Sequence, residues 1–266
     1  MKKSFLLILL CVGLTSNSYN ALFNTYNEHL VFRKIINESF TIGEKLTYRL
    51  HYGIIDAGEA VLQVKESKIK AKGRDLYRIV GTGRSIKAFD WFFKVRDRYE
   101  SYVDKESIMP WYFIRRVNEG GFIINQDYTL HQDLQLVDDG ETKIKVPLNV
   151  QDMLSAYYYA RTLDFENAEK GDVFEFNTIV DGEIFPLKIK FLGRDQIKIR
   201  MGKFKALKFC PVIQTGRVFK KEEDLTVWIS DDKNKIPLCA KAKILFGSVK
   251  FEVVDYQGLL NPISKI

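Results

Sequence analysis

The 266-residue chain holds only three histidines, His29, His51 and His131, so imidazole chemistry has few places to occur. None lies in an HExxH or a closely spaced Cys/His pattern, and His51 falls on the polar side of an alternating segment, so zinc ligation has no sequence support. Ser155 sits in a helical pattern rather than a GxSxG turn, with no identifiable base beside it, which leaves serine hydrolysis equally unsupported. Glycoside hydrolysis needs two carboxylates facing across a cleft, and Asp56, Glu59, Asp90, Asp181 and Glu183 are the residues that could provide them. Asp56 and Asp181, however, read as turn residues, where an aspartate bonds its own backbone. The stretch Ser230 to Lys235 is also turn-like, lacks the spacing of a calcium loop, and carries two lysines that oppose a cation. No catalytic residue, metal or cofactor is therefore expected.

Aromatic side chains are the stronger signal. The run from Ala88 to Arg96, AFDWFFKVR, is followed by Trp111 to Arg116, WYFIRR. Consecutive rings cannot all face one side of a strand. Either both faces are covered by other structure, or some rings line a groove for an apolar ligand or partner. Trp91, Phe93 and Trp111 are the candidates, with Arg96 and Arg115 suited to an anionic head and Arg116 near them in sequence. Core packing is the competing role for Trp91 and Phe93. Tyr157 and Tyr158, followed by Tyr159, pose the same choice, because successive helical positions spread their rings around the axis.

These residues must be positioned mainly by strands. Leu46, Tyr48, Leu50 and Tyr52 alternate with polar residues, a turn is expected at Asp56 to Gly58, and Ala60, Leu62 and Val64 return. Period-2 segments continue through Tyr77 to Gly81, Ile86 to Phe93, Val95 to Val103, Trp111 to Val117 and Phe122 to Leu130, then two short strands within 134–146. A second series covers Val173 to Val180, Ile184 to Leu192, Gln196 to Met201, Phe204 to Gln214, Leu225 to Ser230 and Ile236 to Val254, the last long enough for two strands. Residues 149–161, NVQDMLSAYYYAR, instead repeat at three and four and predict the one principal helix, with Asn149 as its cap and Asp152 at the position that can reach back. The expected fold is mainly β: a single curved antiparallel sheet or incomplete β-barrel with that helix packed on it. The sequences around Gly43-Glu44 and Gly171-Asp172 echo each other as strand, turn and returning strand, either as a duplication or as two ordinary hairpins.

Residues 1–18, with Lys2, Lys3 and the apolar run Phe5 to Leu14, read as a signal peptide for export. A retained anchor and a lipid on Cys11 are the weaker alternatives, and no transmembrane segment is expected in the mature chain. A lead-in over 19–41, a single β-rich domain over 42–258 and a tail over 259–266 complete the organisation. The formal charge of +7 comes from lysines dispersed along predicted strands, and no nucleic-acid recognition module accompanies it. An oxidising compartment allows Cys210 and Cys239 to form a disulfide, two buried thiols being the alternative.

GEKLTYRLHYGIIDAGEA, YRIVGTGRS, QDMLSAYYYAR, GDVFEFNTIVDGE, WISDDKNKIPL and ILFGSVKFEV, in that order, resemble the DUF3108 family of exported bacterial proteins. The resemblance spans about residues 42–258 and implies a secreted or periplasmic protein with a curved antiparallel sheet, outer-membrane association being a further alternative for an exported chain. It carries no activity or catalytic residue. The expected function is non-enzymatic binding of a hydrophobic or amphiphilic envelope component. A structural or protein-interaction role and an enzyme acting on envelope polysaccharide are the alternatives. Lipid, amphiphile, glycan or an envelope protein are thus the expected partners, with oligomeric state left open.

Overall fold

The computed structural model describes residues 32–212, 225–243 and 248–266. The signal segment with Cys11, the lead-in as far as residue 31 with His29, and the charged connection at 216–224 lie outside the described residues. A first meander runs through β1 (Lys45–Tyr52), β2 (Ile55–Glu66), β3 (Leu76–Ser85), β4 (Arg96–Asp104), β5 (Pro110–Glu119) and β6 (Phe122–His131). It ends in the short hairpin β7 (Leu136–Asp138) and β8 (Lys143–Lys145). A second meander comprises β9 (Val173–Val180), β10 (Glu183–Ile199), β11 (Gly202–Pro211), β12 (Leu225–Ser230), β13 (Pro237–Lys243) and β14 (Ser248–Gln257). First and last strands pair, β1 against β14, and join both meanders into one 14-stranded antiparallel sheet. Its ends are β8 and β9, so the sheet is barrel-like but not closed.

The chain between those two ends supplies the principal helix, α2 (Met153–Arg161), which lies against β3, β4 and β9. Leu154 and Tyr158 enter a core with Phe40, Ile79, Phe113, Tyr128 and Ile179, contributed by strands from both sides of the gap. The helix therefore plugs the concave side of the sheet. Asp152 is its N-cap: the carboxylate accepts the N–H of Leu154 at 2.7 Å and of Ser155 at 2.8 Å, while the Asp152 N–H donates to Ser155 Oγ at 2.9 Å. Residues 149–151 stay outside the helix because Gln151 pairs in parallel with Thr178 of β9.

Three further expectations are corrected. The first hairpin turns at Gly53–Ile54, not Asp56 to Gly58, since Tyr52 pairs with Ile55. Gly58 lies within β2, where a Cβ would come within 2.9 Å of the Arg84 carbonyl oxygen; its missing side chain allows two strands to approach rather than a turn to form. Ile86 to Phe93 is not a strand but an extended residue leading into the single-turn α1 (Lys87–Asp90). Cys210 and Cys239 are both buried and are not joined to each other. They lie on β11 and β13 with β12 between them, a separation of about 9–10 Å across the sheet, beyond the reach of a disulfide. The parts of the lead-in and tail that are described also belong to the folded body: Phe40 is buried in the core, and Ile266 donates its N–H to the Lys203 carbonyl at 2.9 Å.

Candidate functional site

Because neighbouring strands alternate in direction, the β1–β2 turn, the β3–β4 connection and the β5–β6 turn all stand at one end of the sheet. The β3–β4 connection, residues 86–95, folds across that end. Its Ile86 N–H reaches the Ala57 carbonyl on β2 at 3.1 Å, and its Lys94 carbonyl accepts the Gly120 N–H at 2.8 Å. Gly120 has φ +57°, and a Cβ there would lie 2.6 Å from the Phe93 ring, so this glycine makes room for the aromatic segment. Asp90 ties the segment down by a bidentate pair with Arg96, at 3.1 and 2.6 Å, and by a hydrogen bond from Ser85. The Arg96 guanidinium and the Ser85 hydroxyl hold the Asp90 carboxyl down at about 2.

Beneath this segment lies a cavity of about 130 Å³. Leu50, Ala60 and Phe251 form one wall from β1, β2 and β14, and Phe89, Phe92, Phe93 and Val95 form the other. Almost all of the lining is carbon, with Arg84, Ser85 and Glu59 at its border. Such a volume approaches that of an apolar cavity able to take a benzene-sized molecule, about 150 Å³. A second apolar cavity, of about 120 Å³, lies between α2 and the other meander, lined by Tyr157, Ile189, Phe209, Val227 and Ile229 among others. Between the two, Tyr48 stacks on Phe251 at 4.4 Å and its hydroxyl meets that of Tyr157 at 3.2 Å.

A larger depression, about 550 Å³, opens elsewhere and is charged, with Glu38, Asp164, Asp231, Asp232, Arg194 and Lys235 around it. Its Asp232 is engaged in local structure, accepting the N–H groups of Asn234 at 2.8 Å and Ser264 at 2.7 Å. The carboxylates named from sequence are held in ion pairs as well. Asp56 meets His51 and Arg200 at 2.7 and 2.9 Å, Glu59 meets Arg84 at 2.7 Å, and Asp181 meets Arg115 at 2.6 Å. Glu183 is exposed at the start of β10. Asp181 does occupy a turn, at φ +51°, whereas Asp56 is a strand residue.

The seven binding candidates are distributed over several environments. Phe93 lines the mouth cavity, Trp91 stands above it with 85% of its surface exposed, and Arg96 is committed to Asp90. Tyr157 faces the second cavity. Trp111 packs at the opposite end of β5 with Ala71, Leu76 and Met109, and Tyr158 is wholly inside the core. Arg115 is wholly buried, joining β5 to the β9–β10 turn through Asp181. Sequence reasoning did not single out Leu50, Phe89, Phe92 and Phe251 as cavity residues. Phe89 and Phe92 belong to the aromatic run that drew attention, but Leu50 and Phe251 join them only through the β1–β14 pairing, across some two hundred residues of chain.

Residues 47–254 match the model of a family described as a protein of unknown function, DUF3108. No curated protein matches. Among solved structures, the β-barrel-like protein of domain of unknown function DUF1849 from Brucella abortus is similar at a TM-score of 0.55 and 8% identity, covering 83% of this chain and 99% of that one. At that identity the similarity shows the fold alone. The hypothetical protein CT021 from Chlamydia trachomatis aligns at a TM-score of 0.37 and 7% identity, over 86% of this chain and 93% of that one.

Proposed function

The chain belongs to the DUF3108 family, whose description assigns no activity, and we propose that it is an exported, periplasmic, non-enzymatic protein that binds a hydrophobic or amphiphilic component of the cell envelope. The mouth cavity carries this reading: aromatic and aliphatic side chains enclose it at an accessible end of the sheet, with charged groups only at its border. About 130 Å³ admits the end of an acyl chain rather than a whole lipid. The head group would then remain at the border, near Arg84. No helix among the described residues is long and apolar enough to cross a membrane.

Native mass spectrometry of the protein from its exporting host tests the reading. Co-purified mass of lipid size is expected, and delipidated protein should recover it from an envelope extract. Ala60→Phe, which fills the cavity from β2, should abolish that recovery while leaving the fold intact by circular dichroism. Repeated preparations that carry no bound lipid and take none up would overturn it.

A further inference from the structure

Turn tips in a soluble sheet protein are ordinarily polar, because glycine, asparagine, aspartate and serine fit tight backbone geometry and face water. Three consecutive hairpin ends on one rim depart from this. The β1–β2 turn presents Ile54, 99% exposed, followed by Ile55; the β3–β4 connection presents Trp91 and Phe92; and the β5–β6 turn leads into Phe122 and Ile123, all exposed. Connections at the opposite end are more charged, as in SKIKAKGRD at 67–75 and DDKNK at 231–235, and the hairpins there expose only the single apolar residues Ile69 and Leu134 among the described large ones. The three apolar tips are fixed relative to one another, since residues 86–95 bond to Ala57 on one side and to Gly120 on the other.

We infer that this rim docks on the surface of an anionic lipid bilayer, with Ile54 and Trp91 inserted at the level of the head groups. Two features favour a bilayer over a protein partner. The tips are separate protrusions from different hairpins, which fluid lipid accommodates one by one, whereas a protein would need a matching pocket for each. Lys87 and Lys94 flank the aromatic pair and are exposed, while the nearest acid, Asp90, is already neutralised by Arg96. Tryptophan beside lysine is the composition that settles at a membrane–water interface. The inference rests on the proposed lipid-binding reading, because the docked rim is the one under which the mouth cavity lies; docking would place the acyl source at its entrance.

The test separates docking from ligand binding by using Ile54→Ser/Trp91→Ser, which changes no residue lining the cavity. Protein purified from its exporting host is sedimented with phosphatidylcholine vesicles, with and without phosphatidylglycerol. Binding is expected chiefly to the anionic vesicles, with a blue shift of tryptophan emission that is absent in Trp91→Phe. The double variant should lose about tenfold or more in vesicle affinity, and Lys87→Gln should lose about fivefold. Uptake of a monomeric fatty acid from solution should remain as in the parent, so loss of docking and loss of ligand binding are read independently. Docking is overturned if the parent ignores both vesicle types, or if the double variant binds them as the parent does.

Discussion

The helix plug is held at its C-terminal end by one buried ion pair, and breaking that pair should cost more than any surface change. Arg161 is bidentate to Glu44, at 2.6 and 2.7 Å, and uses two of its three remaining donors on the carbonyls of Asn234 and Ser39, both at 2.9 Å. Both side chains are essentially inaccessible to water. Burial lowers the guanidinium's pKa, but the Glu44 carboxylate and the neighbouring Tyr157 and Tyr158 outweigh it and raise the pKa above its ordinary value. Glu44→Gln leaves the positive charge in place with a neutral partner, and removing one member of a buried pair costs about 3–5 kcal/mol. For a domain of this size that corresponds to a fall in Tm of roughly 6–20 °C.

Arg161→Met should cost a similar amount, for it strands the Glu44 carboxylate. The double variant Glu44→Gln/Arg161→Met should cost no more than either single change, since no lone charge remains. It will not return to the parent value: the Asn234 and Ser39 carbonyls lose a donor, at about 1–3 kcal/mol for each buried group left unsatisfied. Urea unfolding of the four proteins measures the cycle. A Glu44→Gln cost below about 1 kcal/mol, or additive single costs, would refute the claim that a desolvated pair anchors the plug.

A second expectation concerns pH. Burial pushes Asp97 up to about 7, with the Glu119 carboxylate adding to the shift and the Asn118 N–H opposing it. Between about pH 4 and 7 the folded state then keeps a proton that the unfolded state releases, so stability falls as pH rises through that window, by up to about 4 kcal/mol for the pair. Asp97→Asn should flatten this part of the urea-midpoint profile and exceed the parent at pH 8; a parent profile with the same slope as the variant's would defeat the assignment. For the cysteines, burial raises the Cys239 thiol to about 11, and Cys210 and Cys239 should both resist a thiol reagent until the protein is unfolded. A native protein whose mass rises by two hydrogens on reduction would contain the bridge that the strand order forbids.

Strands were legible because alternation is local, and the helix because its three- and four-residue spacing is local too. What escaped depended on partners distant in sequence. Local spacing makes Asn149 the cap, but Asp152 takes that place because Gln151 is held extended against Thr178 on another strand. Asp56, Ala57 and Gly58 look like a turn until the close approach of the Arg84 carbonyl explains the glycine. The consecutive rings of the aromatic run are incompatible with one strand face. Its resolution is a change of backbone: Phe89 and Phe93 donate their N–H groups to Ile86 and Phe89 in a helical turn, which turns Phe93 toward the cavity and leaves Trp91 in solvent. Ile54 and Phe122 carry a local signal of a different kind, an apolar residue directly after a turn glycine.

The echo between the two meanders has a backbone counterpart, and it explains where the plug enters. Gly43 donates its N–H to the Val64 carbonyl and the Glu44 carbonyl accepts the Val64 N–H, both at 2.9 Å; Gly171 and Asp172 make the same pair of bonds with Phe191, both at 2.8 Å. Each glycine has a positive φ, +96° and +109°. The first hairpin is one residue longer, and its bulge at Leu50/His51 takes up the difference. Two six-stranded units related in this way would meet at two equivalent seams, β1 with β14 and β9 with β6. Only the first is made of backbone pairing. Across the second, side chains do the joining: the Gly182 N–H donates to the Tyr128 hydroxyl at 2.8 Å, and Arg115 bonds Asp181. The linking chain needs that opening, because residues 146–152 pass through it to deliver α2 to the concave side. Arg115 is therefore buried to join the edges of an interrupted barrel, and the basic groups left for a ligand's head are those on the rim.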